Sequence, residues 1–450
     1  MFSTVLIANR GEIALRVART CRELGIRTVA VFSTADRDSA VVRFADEAVH
    51  IGPTPARASY LNAAAIVEAA RRTGAEAVHP GYGFLSEDPD FAEICEAEGL
   101  TFVGPSAAVL ARLGDKARAR AVMAEAGLPV LPGGALPVET VAAALAEAGR
   151  IGYPLIVKAV AGGGGRGMAV VREPETLPKV YAEVRATGQA VFGDSRVYLE
   201  RYLDTVRHIE VQVLADRYGT VVHLGERDCS VQRRRQKLVE ETPAPGLGPE
   251  VTAALHEAAV RGVRATGFTG AGTFEFLVDG SGEPYFMEIN CRLQVEHPVT
   301  ELVTGIDLVG EQLRVASGAP LSFTQAGVER RGVAIECRVN AEDPRRNFTP
   351  APGTVTGFAA PAGPFTRVDT HVAPGARVTA DYDPLLAKVS VWAPDRRQAI
   401  ARMQRALSEF TVTGPGVHTT IPFLSEVLAH PRFLDGKHTT ALVDQMTAQD

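Results

Sequence analysis

The sequence predicts an α/β chain, α+β in part, with a doubly wound, Rossmann-like parallel sheet at its N-terminus. Three observations carry that reading. Apolar strands and amphipathic helices alternate as far as Val103, a glycine run stands between two strands at Ala161–Gly167, and strands dominate from Val197 onward. Thr4–Ala8 reads as the first buried strand. Glu12–Leu24 follows as a helix, with Ile13, Val17, Cys21 and Leu24 at helical spacing and Gly25 as its stop. Thr28–Phe32 is a strand, Asn62–Arg72 a helix, Glu76–His79 a strand, Asp88–Glu98 a helix and Leu100–Val103 a strand. Ligands of such sheets gather at strand carboxyl ends, where Asn9-Arg10-Gly11 and His79-Pro80-Gly81-Tyr82-Gly83 fall.

A single helix is expected over Ser106–Glu125, then a Pro/Gly-rich joint, Leu128–Gly134, with the composition of a hinge. Strands Pro154–Ala159 and Met168–Val171 flank the glycine run, and a helix over Glu173–Gly188 completes a small unit. Strands are expected at Val197–Glu200, His208–Ala215, Thr220–Leu224, Gly272–Val278 and Pro284–Asn290. Gly332–Asn340, Gly353–Phe358 and Lys388–Trp392 complete the strands, and Arg396–Leu407 is a helix.

A chain of 450 residues exceeds one core, and about 150 residues per domain gives roughly two to four domains. The net charge of −6 provides no global basic field, so nucleic acid is not an expected partner. Five scattered cysteines without a CxxC pair suit neither a disulfide framework nor structural zinc, and fit a reducing cytosol. No apolar run approaches the ~18 residues of a membrane span, so a cytoplasmic chain with no membrane contact is expected. Only six of the 47 basic residues are lysines: Lys116, Lys158, Lys179, Lys237, Lys388 and Lys437. Where Arg is the default cation, each Lys is informative.

Gly162-Gly163-Gly164-Gly165-Arg166-Gly167 lets backbone N–H groups approach phosphate oxygens with no Cβ in the way, although glycine runs also serve as plain turns. Lys158 precedes the run, the reverse of the protein-kinase order, and no HRD or DFG occurs. The one Gly-Lys pair, Gly436-Lys437, is followed by His438, so no Walker A motif is present. A single glycine, Gly11, in the first βα turn does not meet the dinucleotide fingerprint.

Strand alternation sets Glu275 opposite Phe274 and Phe276, and puts Glu288 and Asn290 on one face against Met287 and Ile289. Two carboxylates and an amide oxygen on adjoining strands suit Mg²⁺ shared with phosphates; solvated polar faces are the plainer alternative. In the following loop, Arg292, Gln294 and Glu296 alternate toward one side, where an Arg can grip a small oxyanion and a carboxylate can act as base. The run Gln232-Arg233-Arg234-Arg235-Gln236-Lys237 has no interleaved aromatics to favour nucleic acid, and its switch to a scarce Lys marks position 237 as wanting a compact ammonium.

Together these blocks resemble the biotin carboxylase branch of the ATP-grasp superfamily. The matching runs are IANRGEIALR, HPGYGFLSE, GGGGRGM, RHIEVQVLAD, ERDCSVQRR, GTFEFL, INCRLQVEHPVTE and ECRVNAEDP, in the family's order over almost the whole chain. The resemblance implies an ATP-grasp fold: a pre-ATP-grasp domain at 1–113, an ATP-grasp domain at 114–325 with a mobile lid at about 131–203, and a C-terminal biotin carboxylase domain at 326–446. It further implies that Lys116, Lys158, Gly164 and Gly165 hold ATP phosphates and that Glu200, Arg201, Tyr202 and Leu203 line the adenine pocket. His208, Gln232 and Arg235 would complete the nucleotide contacts, and Glu275, Glu288 and Asn290 would ligate Mg²⁺ or Mn²⁺. Lys237, Arg292, Gln294 and the Val295 backbone would bind bicarbonate, Glu296 would be the general base, and Arg338 with Tyr82 would meet biotin.

Three positions depart from the family's usual residues: Arg235 for His or Asn, Arg201 for Lys, and Cys291 for Thr, Pro or Ala. No Met-Lys-Met biotin-attachment site occurs, so the resemblance implies a separate biotin carboxyl carrier protein, carboxyltransferase subunits and a homodimer. The whole system would be an acetyl-CoA or acyl-CoA carboxylase of fatty acid synthesis, or else a pyruvate or propionyl-CoA carboxylase. A different ATP-grasp ligase would share the lid and metal residues but lack the Arg292–Glu296 loop and Arg338; a catalytically dead regulatory protein would not need Lys237, Glu288 and Glu296.

Overall fold

The computed structural model describes residues 1–134, 136–161 and 167–448. Its N-terminal sheet has five parallel strands in the order Glu47–Gly52, Arg27–Ser33, Thr4–Ile7, Ala77–His79, Thr101–Phe102. Alternation on the first strand explains the double winding. Leu6 joins a core with Ile66 and Phe91 on one face, while Val5 and Ile7 join Ile13 and Val17 of helix Gly11–Glu23 on the other. The strand order reverses beside Thr4–Ile7, and there the Asn9 amide donates to the carbonyls of Pro80 (2.7 Å) and Tyr82 (2.8 Å). The loop carrying Tyr82 is thus pinned at the switch point. The edge strand Glu47–Gly52 escapes the sequence pattern because its residues are mostly half-exposed and form no apolar run.

The single helix expected over Ser106–Glu125 is two helices, Ala107–Gly114 and Lys116–Glu125. Asp115 breaks it with ψ at 106°, and its carboxylate accepts from the Arg118 N–H at 3.0 Å, capping the second helix. The break makes Lys116 the first residue of a new helix.

Residues 138–201 form a small unit with its own core. Three antiparallel strands, in the order Met168–Val171, Leu155–Ala159, Val197–Arg201, pack against helices Val141–Ile151 and Leu177–Phe192. The second helix starts later than the expected Glu173 because Pro174–Thr176 takes a 3₁₀ turn first, and the first helix lies outside the elements expected from sequence. Gly164 and Gly165 lie outside the described residues.

An eight-stranded antiparallel sheet makes up the rest of the framework: Pro284–Asn290, Gly270–Val278, Arg207–Ala215, Val221–Arg233, Gln236–Thr242, Val333–Asn340, Leu385–Ala393, Thr366–Thr370. Strands from before and after the 3₁₀ turn Gln325–Gly327 join in this one sheet. The strand expected at Thr220–Leu224 continues to Arg233 and turns back through Arg234 and Arg235, both with positive φ (49° and 66°). The strand expected at Gly353–Phe358 is two short ones, Gly353–Thr354 and Gly357–Ala359, with different partners. Helices His297–Thr304, Leu308–Ala316 and Pro249–Thr266 add to the expected set. The last carries readable signals, Pro in its first turn and Gly267 as a left-handed stop (φ 64°). No described helix is long and apolar enough to cross a membrane.

Pro249–Thr266 supports the sheet through a close approach at Gly262, where an added Cβ would meet the Phe274 ring and lie 2.9 Å from the Met123 sulfur. Phe274 precedes Glu275 on its strand, so this contact backs the candidate site. Gly262→Ala is expected to destabilise the protein by about 1–3 kcal/mol, read as a lowered urea midpoint. An unchanged midpoint would show that the packing yields freely.

Candidate active site

The cross-strand register of the large sheet assembles the site. Glu275 lies opposite Glu210 on one neighbouring strand and opposite Glu288 on the other. Glu275 does point away from Phe274 and Phe276, which are fully buried in the core. The strict alternation expected on Pro284–Asn290 fails, because the pairing skips Met287 between Glu275↔Glu288 and Phe276↔Phe286. That bulge puts both Phe286 and Ile289 in the core and leaves Glu288 half-buried.

At the centre stands Lys237. Its ammonium contacts Glu296 at 2.7 Å, Glu210 at 2.6 Å and Glu275 at 3.0 Å. Burial works against its charge, but the three carboxylates hold its pKa well above the ordinary lysine value. Glu296, itself fully buried, also receives the Arg338 guanidinium at 2.8 Å. Burial disfavours its charge, yet Lys237, Arg338 and Arg227 together keep its carboxyl well below the usual range. Glu275 is likewise lowered, against burial, by Lys237 and His208.

Arg338 is braced on its other side by Glu240 at 2.6 Å. Burial pushes Glu240 up to about 7 despite the pull of Arg338. Glu240 pairs across the strands with Glu336, also fully buried, whose carboxyl burial raises well above its ordinary value.

The Cys291–His297 stretch brings its polar residues together through a bend and a turn rather than by strand alternation. Arg292 donates to the Gln294 side chain at 3.1 Å and to the Asn290 carbonyl oxygen Oδ1 at 3.1 Å, and Gln294 donates to Glu275 at 3.3 Å. Glu87, from the loop after Tyr82, holds Arg292 Nε at 2.7 Å and the Cys291 N–H at 2.8 Å. Val295 presents its carbonyl to Lys388 at 2.9 Å. Tyr82 is half-buried and donates its hydroxyl to Glu12, and burial, with the Glu12 charge adding to it, raises its pKa.

The nucleotide candidates divide into two groups. His208 and Gln232 sit side by side, ring Nδ1 to amide Nε2 at 2.7 Å, with His208 Nε2 3.0 Å from Glu275. Lys116 reaches Glu288 at 2.5 Å, which ties the helix begun at Asp115 to this group. Lys158 pairs instead with Glu200 inside the small unit, where Arg120 also approaches Glu200 at 3.3 Å. Arg201 donates to the Ile151 carbonyl at 3.4 Å, and Leu203 is half-buried beyond the end of its strand. Arg235 is exposed at the hairpin turn, two residues from Lys237.

Glu275 and Glu288 face each other on adjacent strands, and the Asn290 side chain donates its amide N–H to Glu275 at 2.9 Å while its oxygen accepts from Arg292. Carboxylate and amide oxygens are donor types that Mg²⁺ takes, and here the two carboxylates are neutralised instead by Lys237 and Lys116. Sequence reasoning passes over Glu210, Arg227, Glu240 and Glu87. Glu210 is legible in principle: His208, Glu210 and Gln212 alternate with Ile209, Val211 and Val213 along one strand. Arg227 and Glu240 carry no local signal, since only the folded sheet sets them beside Glu210 and Arg338.

Comparison with known proteins accords with this arrangement. Residues 1–110 match the model for the biotin carboxylase N-terminal domain, 115–324 that for the carbamoyl-phosphate synthase L chain ATP-binding domain, and 336–445 that for the biotin carboxylase C-terminal domain. The chain is 51% identical to biotin carboxylase 1 of Bacillus subtilis, over 99% of this chain and 98% of that protein. It is 48% identical to a pyruvate carboxylase subunit of Methanothermobacter thermautotrophicus, over 99% and 90%. Among solved structures it superposes with a TM-score of 0.96 on the biotin carboxylase domain dimer of Hydrogenobacter thermophilus 2-oxoglutarate carboxylase, at 45% identity over 99% and 98%. That structure is a complex with MgADP, ADP and bicarbonate. With an ATP-binding domain flanked by the two matching biotin carboxylase domains, this chain belongs to the biotin carboxylase family of ATP-dependent ligases.

Proposed function

We propose that the chain uses ATP and bicarbonate to carboxylate biotin on a separate carrier protein, as the first half-reaction of an acetyl-CoA or acyl-CoA carboxylase. The observation that carries this reading is the junction at Glu296, a buried carboxylate held at once by Lys237 and Arg338. Lys237 also reaches Glu275, and Arg338 pairs across the strands with Lys388, whose ammonium stands 6.0 Å from the centre of the Tyr82 ring.

Glu296 is ionised throughout the neutral range, as a base must be. When bicarbonate docks on Arg292, Gln294 and the Val295 backbone, Lys237 can turn from Glu296 to the incoming anions, and the basicity of Glu296 rises. Glu296 takes the bicarbonate proton, and a bicarbonate oxygen attacks the γ-phosphorus. The bond to the β-phosphate oxygen breaks, giving carboxyphosphate and ADP. Lys237, Lys116 and Lys158 hold the phosphate charges, with His208 and Gln232 at the nucleotide, while Glu275, Glu288 and Asn290 would hold Mg²⁺ or Mn²⁺. The ion, when bound, offsets charge on the phosphates. Carboxyphosphate separates into CO₂ and phosphate, the phosphate takes the ureido N1′ proton, and N1′ bonds to CO₂. Arg338 stabilises the negative oxygen of the ureido ring, with Tyr82 beside it.

Closure of the 131–203 unit, carrying Lys158, Gly164, Gly165, Glu200, Arg201 and Leu203, would exclude water from carboxyphosphate. We assign residues 1–113, 114–325 and 326–446 as the three domains, and a cytoplasmic homodimer with biotin carboxyl carrier protein and carboxyltransferase subunits as partners. The dimeric H. thermophilus neighbour supports the oligomer. The likeness to the M. thermautotrophicus protein supports pyruvate as a second acceptor system.

Purified protein is expected to cleave ATP slowly with bicarbonate alone and faster with free biotin added; cleavage indifferent to bicarbonate would refute the reading. Lys237→Gln and Glu296→Ala should stay folded and lose about 10²–10³-fold in biotin carboxylation. Near-normal turnover in either would remove that residue from its role. Glu240 offers a pH test of Arg338's support. Its carboxyl is raised in the folded state, so its stabilising contribution is full below its unfolded value and is lost as pH rises through about 7. Glu240→Gln cannot ionise, so its urea midpoint should gain on the parent's between about pH 5 and about pH 8. A relative decline over that window would mean that Glu240 carries its charge comfortably.

A further inference from the structure

Three of the six lysines fall to the phosphate and bicarbonate sites, and two of the other three, Lys179 and Lys437, are exposed. The remaining one, Lys388, is fully buried. In a chain that otherwise uses Arg as its generic cation, an ammonium in the interior needs a reason, because burying it costs several kcal/mol unless it is paired.

Its contacts supply that reason. Lys388 lies on strand Leu385–Ala393, directly across from Arg338 on one neighbouring strand and from Asp369 on the other. Its ammonium donates to the Val295 carbonyl at 2.9 Å, contacts Glu12 at 3.1 Å and lies 4.0 Å from Asp369. Glu12, on the first helix, in turn accepts the Tyr82 hydroxyl, and the Lys388 ammonium stands 6.0 Å from the centre of the Tyr82 ring. Asp369 has its own partner, Arg367, at 2.7 Å. One compact cation therefore joins the loop of Arg292, Gln294 and Glu296 to the N-terminal helix and the C-terminal strands. A planar guanidinium has a different shape and spread of donors from this tetrahedral ammonium.

We propose that Lys388 is a positioning residue: by holding the Val295 carbonyl while anchored on Glu12, it sets the peptide segment from Arg292 to Glu296 in the geometry that binds bicarbonate. The proposal rests on the bicarbonate reading of that loop. Lys388 itself touches no substrate. Its removal should weaken the grip on bicarbonate and leave ATP binding, which draws on other elements, nearly as it was.

The test compares the full-length parent with Lys388→Met and with the double variant Glu12→Gln/Lys388→Met, which removes the ammonium together with the carboxylate it neutralises. ATP cleavage is measured with bicarbonate and ATP varied in turn. Both variants are expected to raise the KM for bicarbonate about tenfold or more, the loss of a charge-assisted hydrogen bond, and to change the KM for ATP less than about twofold. If only the double variant folds, its two KM values decide. Equal changes in both KM values, or no change in that for bicarbonate, would overturn the proposal. So would failure of both variants to fold, which would make the ammonium a requirement of the fold rather than of the loop. A parent that cleaves ATP without need of bicarbonate would instead refute the underlying reading.

Discussion

The structure turns on one ammonium facing three carboxylates. Lys237 lies within 3.0 Å of Glu210, Glu275 and Glu296, which come from two other strands and a loop. Each carboxylate has a second partner, Arg227 for Glu210, His208 for Glu275 and Arg338 for Glu296, while the lysine draws its charge state from all three. The arrangement is held ready by mutual need.

Sheet geometry makes this possible. A run of antiparallel strands lines charged residues into rows, and here the rows meet: Glu210, Glu275 and Glu288 across one side, Lys237, Glu240 and Arg338 toward the other. The N-terminal parallel sheet contributes from outside, through Glu87 on Arg292 and Glu12 on Lys388. Residues far apart in sequence thereby fix a single segment, Arg292 to Glu296. The small unit of residues 138–201 keeps Lys158 on its own carboxylate, Glu200, so that this ammonium is neutralised within the unit.

Much of this could be read from sequence, where the signal was periodic or compositional. The parallel sheet, the carboxylate face of Gly270–Val278 and the significance of the scarce lysines all follow from spacing and residue choice. The failures have physical causes. Asp115 divides a helix that apolar spacing alone would continue, because its side chain caps the next turn. The bulge at Met287 cannot be seen in a pattern of alternation, since it is set by pairing with the neighbouring strand. Glu240 and Arg227 are ordinary strand residues until the sheet brings them to Arg338 and Glu210. Lys388 stood out by rarity, but only the fold shows that it is buried and what it holds.

The central claim is that one cleft gathers nucleotide, bicarbonate and biotin around Glu296. A crystal structure of the protein with a non-hydrolysable ATP analogue, Mg²⁺, bicarbonate and biotin tests it most directly. Bicarbonate is expected between Arg292 and Glu296, the terminal phosphate beside Lys237, and the ureido ring against Arg338. A triphosphate seated away from Lys237, or a biotin away from Arg338, would contradict it.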